Sequence, residues 1–148
     1  MKTTYVSYEV VDPATWQIKS SGQLEKTERV PVAAPPTSPD PLQAAQAVVQ
    51  LFHSDINARN YPDAYSQWGA DFHSTTNYCG FVQGYSRTRG DGVNIDNTTQ
   101  LSNGTVQVLA TINATEDTDS GTTMKVYHET YIVGQENGAW RIMSGTLI

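Results

Sequence analysis

The side chains with the most evident acid–base capacity are His73 and His128 and the carboxylates Asp63 and Asp71, while His53 enters only as a third imidazole to be weighed as a metal ligand. A base whose pKa is raised by burial, set opposite a tyrosine donor such as Tyr65 or Tyr85, takes a proton beside a carbonyl and so enolises its substrate. A simpler reading competes with each. Asp63 follows Pro62 where a helix should begin, and an acidic residue there stabilises the helix without any further role. Asp71 falls in an expected loop. The histidines are too far apart to form a local ligand motif of the His-Glu-x-x-His kind. One cysteine, Cys79, excludes an internal disulfide and the usual cysteine-built zinc sites, so neither metal nor cofactor is expected. A Gly-x-Ser-x-Gly elbow for a nucleophilic serine is absent. The aromatics are more numerous. Tyr65, Trp68, Phe72, Tyr85, Tyr131 and Trp140 are the candidates to line a pocket for a small apolar or planar ligand, and most also suit a core.

Two short motifs invite attention and carry little. Arg89-Gly90-Asp91 matches an adhesion tripeptide in what reads as a loop, but Gly-Asp-Gly is ordinary turn chemistry. Asn97-Thr98-Thr99, Asn103-Gly104-Thr105 and Asn113-Ala114-Thr115 fit the glycosylation sequon, which has meaning only on a eukaryotic secretory route.

The elements that would position these groups follow from periodicity. Residues 1–32 read as an N-terminal β-hairpin extension, with Asp12-Pro13 as its turn. Residues 33–41 form a proline-rich linker, too poor in N–H donors for helix or sheet interior. Asp40-Pro41 then opens a helix, and Leu42, Ala45, Val48, Val49, Phe52 and Ile56 give it one apolar face ending near Asn57–Asn60. A shorter helix starts at Pro62 and ends at Gly69. A polar turn follows Phe72 and His73, and Thr76 or Asn77 caps a third helix through Tyr85. From Val93 the period changes to two. Val106, Val108, Ala110, Ile112 and Ala114 alternate with polar neighbours, and Asn137-Gly138 joins two β-rich arms as a tight hairpin. On the arm from Lys125 to Val133, Tyr127, Glu129 and Tyr131 share one face and His128 lies on the other.

The 148 residues suit one domain of sizeable core. A net charge of −6 with scattered Lys and Arg argues against nucleic acid as a partner, which needs a basic stripe to displace counterions. No run is apolar enough to insert in a membrane. Low lysine and abundant threonine favour an extracellular or cell-surface setting over the cytoplasm.

In order along the chain, a long helix, Asn60-Tyr61-Pro62-Asp63-Ala64-Tyr65, Tyr78-Cys79-Gly80-Phe81-Val82-Gln83-Gly84-Tyr85 and the ending Glu136-Asn137-Gly138-Ala139-Trp140-Arg141-Ile142 resemble the nuclear transport factor 2-like superfamily. The resemblance covers residues 42–148. It implies an α+β fold, a curved antiparallel sheet wrapped around a long helix as a cone-shaped α+β barrel, with an apolar pocket at the wide end and dimerisation through the outer sheet face. It places Asp63, Asp71, His73 and His128, with Tyr65 and Tyr85, nearest the expected pocket wall. The leading expectation is a non-catalytic, self-associating interaction or small-ligand-binding domain. The alternative is a small cofactor-free enzyme of the cyclase, isomerase or dehydratase type, using a pocket Asp or His with a Tyr.

Overall fold

A computed structural model describes residues 40–148. The expected N-terminal hairpin and nearly all of the proline-rich linker lie outside the described residues. The described residues form four helices and then four strands: α1 Pro41–Asn57, α2 Tyr61–Ser66, α3 Ala70–Thr75, α4 Tyr78–Gly84, β1 Thr88–Gln100, β2 Val106–Thr118, β3 Gly121–Glu136 and β4 Ala139–Leu147. The class is α+β, with the strands in a curved, open antiparallel sheet of order β1-β2-β3-β4.

Local chemistry accounts for most boundaries. Asp40 caps α1, its carboxylate accepting from Leu42 N–H at 3.1 Å, and Pro41 occupies the first turn where its missing N–H costs nothing. Asn77 caps α4 in the same way, accepting from Gly80 N–H at 2.8 Å. The β3–β4 hairpin turns on Asn137 at φ 52° and Gly138 at φ 82°. Both central residues lie in the left-handed region, which is the primed turn geometry that matches the twist of paired strands.

Alternation on β2 is strict: Val106, Val108, Ala110, Ile112 and Ala114 are buried, and the residues between them are half-buried on the other face. The buried row receives α1 through Ala45, Val49, Phe52 and Ile56. Phe52 sits at the centre, edge-on to Trp68 with ring centroids 5.5 Å apart. Trp68 and Gly69 are tied to β4, because Ile142 N–H donates to Gln67 C=O and Ile142 C=O accepts from Gly69 N–H. Ile142 is fully buried and Trp140 half-buried against the core.

Three expectations need correction. Phe72 and His73 are not followed at once by a polar turn but lie within α3, a six-residue helix whose first N–H, that of Ala70, is accepted by the distant Glu136 carboxylate, so the local sequence does not announce it. The first strand begins at Thr88, five residues before the apolar alternation at Val93, because backbone pairing with β2 extends past the residues whose side chains pack. That pairing also places Arg89-Gly90-Asp91 in β1 rather than in a loop. Asp91 is only 6% exposed, so the tripeptide is not presented for adhesion.

Candidate functional site

A cavity of about 480 Å³ opens between the inner face of the sheet and helices α3 and α4. Its wall includes Trp68 and Phe72 from the α2–α3 region, Phe81 from α4 and Tyr85 just beyond it. β2 contributes Ile112, Ala114 and Glu116, and β3 contributes Tyr127, Glu129 and Tyr131. The strand period of two explains the β3 set: three alternate residues point inward together. Small Ala110 and Ala114 face the same side of β2 and leave space that larger residues would fill.

Four polar side chains from three elements meet at the deep end. His53 lies one helical turn after Val49 on the apolar face of α1, so the helix carries its imidazole into the core, where it is 3% exposed. Its Nδ1 is 2.5 Å from Asp91 Oδ2 and its Nε2 is 2.8 Å from the Tyr131 hydroxyl. Tyr131 in turn donates to Glu129 Oε1 at 3.0 Å. Asn57 clamps the backbone of Asp91 from α1, its Oδ1 accepting from Asp91 N–H at 2.7 Å and its Nδ2 donating to Asp91 C=O at 2.8 Å. The result is a continuous chain, Asp91–His53–Tyr131–Glu129, buried at Asp91, His53 and Tyr131 and bordering the cavity along its length.

The hydroxyl of Tyr131 has one hydrogen between two neighbours, and this restricts the proton arrangement. When it donates to Glu129, His53 Nε2 must carry a hydrogen, and a second proton lies between Nδ1 and Asp91 Oδ2. When it donates to His53, the imidazole is neutral and Glu129 is the acid. Both arrangements hold the same number of protons and a net charge of −1. Burial pushes the Glu129 carboxyl above its ordinary value of 4.5, outweighing the Tyr131 hydrogen bond and the His53 charge that pull it down, while Asp91 adds to the rise. Burial, helped by the charge of Glu129, also holds the Tyr131 phenol well above the usual tyrosine range. Burial, then Asp91 and Glu129, does the same to Tyr85, so both phenols remain hydrogen donors. At the mouth a second pair forms, Tyr127 donating to Glu116 Oε2 at 2.8 Å, with Lys125 Nζ 3.3 Å from Glu116 Oε1.

Gly145 of β4 stands opposite Tyr131, and its hydrogen is a requirement of space. A Cβ there would lie 2.5 Å from Glu129 Oε2, 3.1 Å from the Trp68 ring and 3.2 Å from the Tyr131 ring. Gly145→Ala is therefore expected to destabilise the fold by about 1–3 kcal/mol, the usual cost of overpacking, and to pull Glu129 from Tyr131. Urea denaturation checks the first effect, and an unchanged midpoint contradicts it.

The candidates named from sequence divide between this wall and elsewhere. Trp68, Phe72, Tyr85 and Tyr131 line the cavity. Tyr65 packs behind it, stacked on His73 at 4.2 Å with its hydroxyl donating to Thr76 C=O, and His73 Nε2 is 2.8 Å from Tyr65 C=O. Trp140 borders a separate hollow near Pro41, Gln100 and Met143. Asp63 is exposed in the first turn of α2, bonded to Asn60 Nδ2; its charge adds to the burial that raises buried Asp55. Asp71 is exposed in the first turn of α3, and His128 is exposed on the outer sheet face beside Thr111. Sequence reasoning passed over His53 as a site residue, and with it Asp91 and Glu129. The phase of His53 on the apolar stripe of α1, and of Glu129 between Tyr127 and Tyr131, were the available signals. Among the described residues no three carboxylate, imidazole or thiolate groups are arranged to hold a metal ion.

No protein-family model and no curated protein matches the chain. Solved structures do. A ketosteroid isomerase-like protein from Erwinia carotovora atroseptica superposes with a TM-score of 0.59 at 14% identity, over 73% of this chain and 95% of that one. Aln2 from a Streptomyces species gives 0.56 at 13% identity, over 75% and 91%. A SEC-C motif containing protein from Rhodopseudomonas palustris gives 0.60 at 6% identity, over 74% and 82%. At these identities the likeness speaks for the fold alone.

Proposed function

We propose, from the premise of a nuclear transport factor 2-like cone fold, that the domain is a small cofactor-free enzyme that binds a compact, largely apolar carbonyl compound in the cavity and moves a proton at the carbon beside the carbonyl. One observation carries this reading: the open cavity ends on Glu129, a carboxyl raised by burial and linked through Tyr131 and His53 to buried Asp91. A filled cone serving only as an assembly module has no use for such a chain, because buried polar networks are costly unless every member is paired.

Each residue has a role. Ionised Glu129 is the base, and its raised pKa brings it nearer to working pH, which strengthens a general base. Tyr85, a phenol on the same wall that keeps its proton, donates to the developing enolate oxygen. Tyr131 holds the Glu129 carboxylate by a hydrogen bond, His53 holds the Tyr131 hydroxyl and adjusts to the change of charge, and Asp91 orients the imidazole. They are positioning residues. Trp68, Phe72 and Phe81 exclude water from the apolar body of the substrate. The test is exchange of the α-hydrogens of 4,4-dimethylcyclohexanone in D2O, followed by proton NMR. Catalysis lost in Glu129→Gln supports the reading, and exchange no faster than in buffer counts against it.

We also propose that the chain self-associates through the outer sheet face. Met124 is 73% exposed and Val126 59% exposed on the outer side of β3, and half-buried Ile132 and Leu109 lie farther along the same face. A monomeric mass in solution at micromolar concentration removes this proposal.

A further inference from the structure

The charge of the cavity wall discriminates among small molecules. Its lining includes three carboxylates, Asp91, Glu116 and Glu129, and among the described residues no lysine or arginine. Glu116 is answered from outside the lining by Lys125. The deep chain is not answered: in either proton arrangement Asp91, His53, Tyr131 and Glu129 together carry one uncompensated negative charge. That charge sits where aromatic rings replace water. Trp68, Phe72, Phe81, Tyr85 and Tyr127 surround the space in front of Glu129, and the faces of such rings attract cations.

We infer that the substrate carries an organic cation, a protonated amine or a quaternary ammonium, on its apolar body, and not a carboxylate or a phosphate. The cation supplies the positive charge that the wall lacks and rests among rings that reward it. An anion entering the same space meets that uncompensated negative charge with poor screening and no lysine or arginine on the wall. This narrows the reading of the cavity as a small-molecule site and rests on it.

Three cyclic ketones of similar size separate the possibilities: the permanent cation N,N-dimethyl-4-oxopiperidinium, its neutral isostere 4,4-dimethylcyclohexanone, and 4-oxocyclohexanecarboxylate. Their dissociation constants are measured with the whole chain by tryptophan fluorescence and checked by NMR shifts. The cation is expected to bind at least about tenfold more tightly than the neutral ketone, as cation–π attraction and a nearby carboxylate together allow, and the carboxylate most weakly. In Glu129→Gln the advantage of the cation should fall by about threefold or more, since the carboxylate among the rings is removed while Asp91 keeps its charge. Equal affinity of the cation and neutral ketones, tightest binding of the carboxylate, or an undiminished cation preference in folded Glu129→Gln overturns the inference. Where Glu129→Gln does not fold, the order of the three affinities in the wild type decides. Failure of all three to bind overturns the small-molecule reading together with the inference. Preferential binding of the cation without catalysed exchange overturns only the acid–base reading.

Discussion

Glu129→Gln is expected to lower catalysed α-hydrogen exchange by about 10²–10⁴-fold, the contribution of a positioned general base, and to make the fold more stable at neutral pH. The two effects have one cause. Burial raises the Glu129 carboxyl, so between its ordinary value of 4.5 and its folded pKa the native chain holds a proton that the unfolded chain has released. Stability from this group is fully present below pH 4.5 and is lost as pH rises through the folded pKa. Glutamine keeps the shape and the hydrogen bond from Tyr131 but never ionises. The stability gap between variant and wild type should therefore open with rising pH across that window and stay constant above it. Urea denaturation at a series of pH values measures the gap. Parallel curves for the two proteins would remove the claim that Glu129 is held at a cost to the fold for the sake of its chemistry.

Asp91→Ala is expected to be the most damaging single change at the site, costing about 3–5 kcal/mol. Removing one partner of a buried polar pair leaves the other desolvated and unpaired. Asp91 and His53 are 6% and 3% exposed, so the pair is largely withdrawn from bulk solvent. Asn57 grips only the backbone of residue 91, so its two hydrogen bonds survive the substitution and do not confuse the reading. The double variant His53→Leu with Asp91→Ala leaves no imidazole to satisfy and should recover a large part of the loss. A double-mutant cycle from denaturation midpoints tests this. If Asp91→Ala loses less than about 1 kcal/mol, the pair is not the desolvated anchor described above.

Much of the architecture was legible in the residues. The apolar stripe of α1, the Asp40 cap, the strict alternation on β2 and the Asn137-Gly138 turn each follow from a local rule, and each element stands where its rule put it. Helix α3 did not follow, because its N-terminus is capped by Glu136, 66 residues away in sequence, and not by a neighbouring side chain. The early start of β1 escaped for a related reason: its first residues are held by backbone pairing with β2, which side-chain periodicity does not record.

The site was less legible than the fold. Sequence alone determined that Tyr127, Glu129 and Tyr131 share a face and that His53 follows the apolar stripe of α1, since both are matters of period within one element. It also pointed to Trp68, Phe72, Tyr85 and Tyr131 as wall material by their size. Only the tertiary structure decided that Asp91, 38 residues from His53, and Tyr131, 78 residues from it, meet the same imidazole. Strand register governs that meeting: Asp91 pairs with Ala114 on β2, and Tyr131 with Val108, so α1 crosses above both. Register depends on bulges and inter-strand hydrogen bonds that join distant parts of the chain, and no window of neighbouring residues contains them.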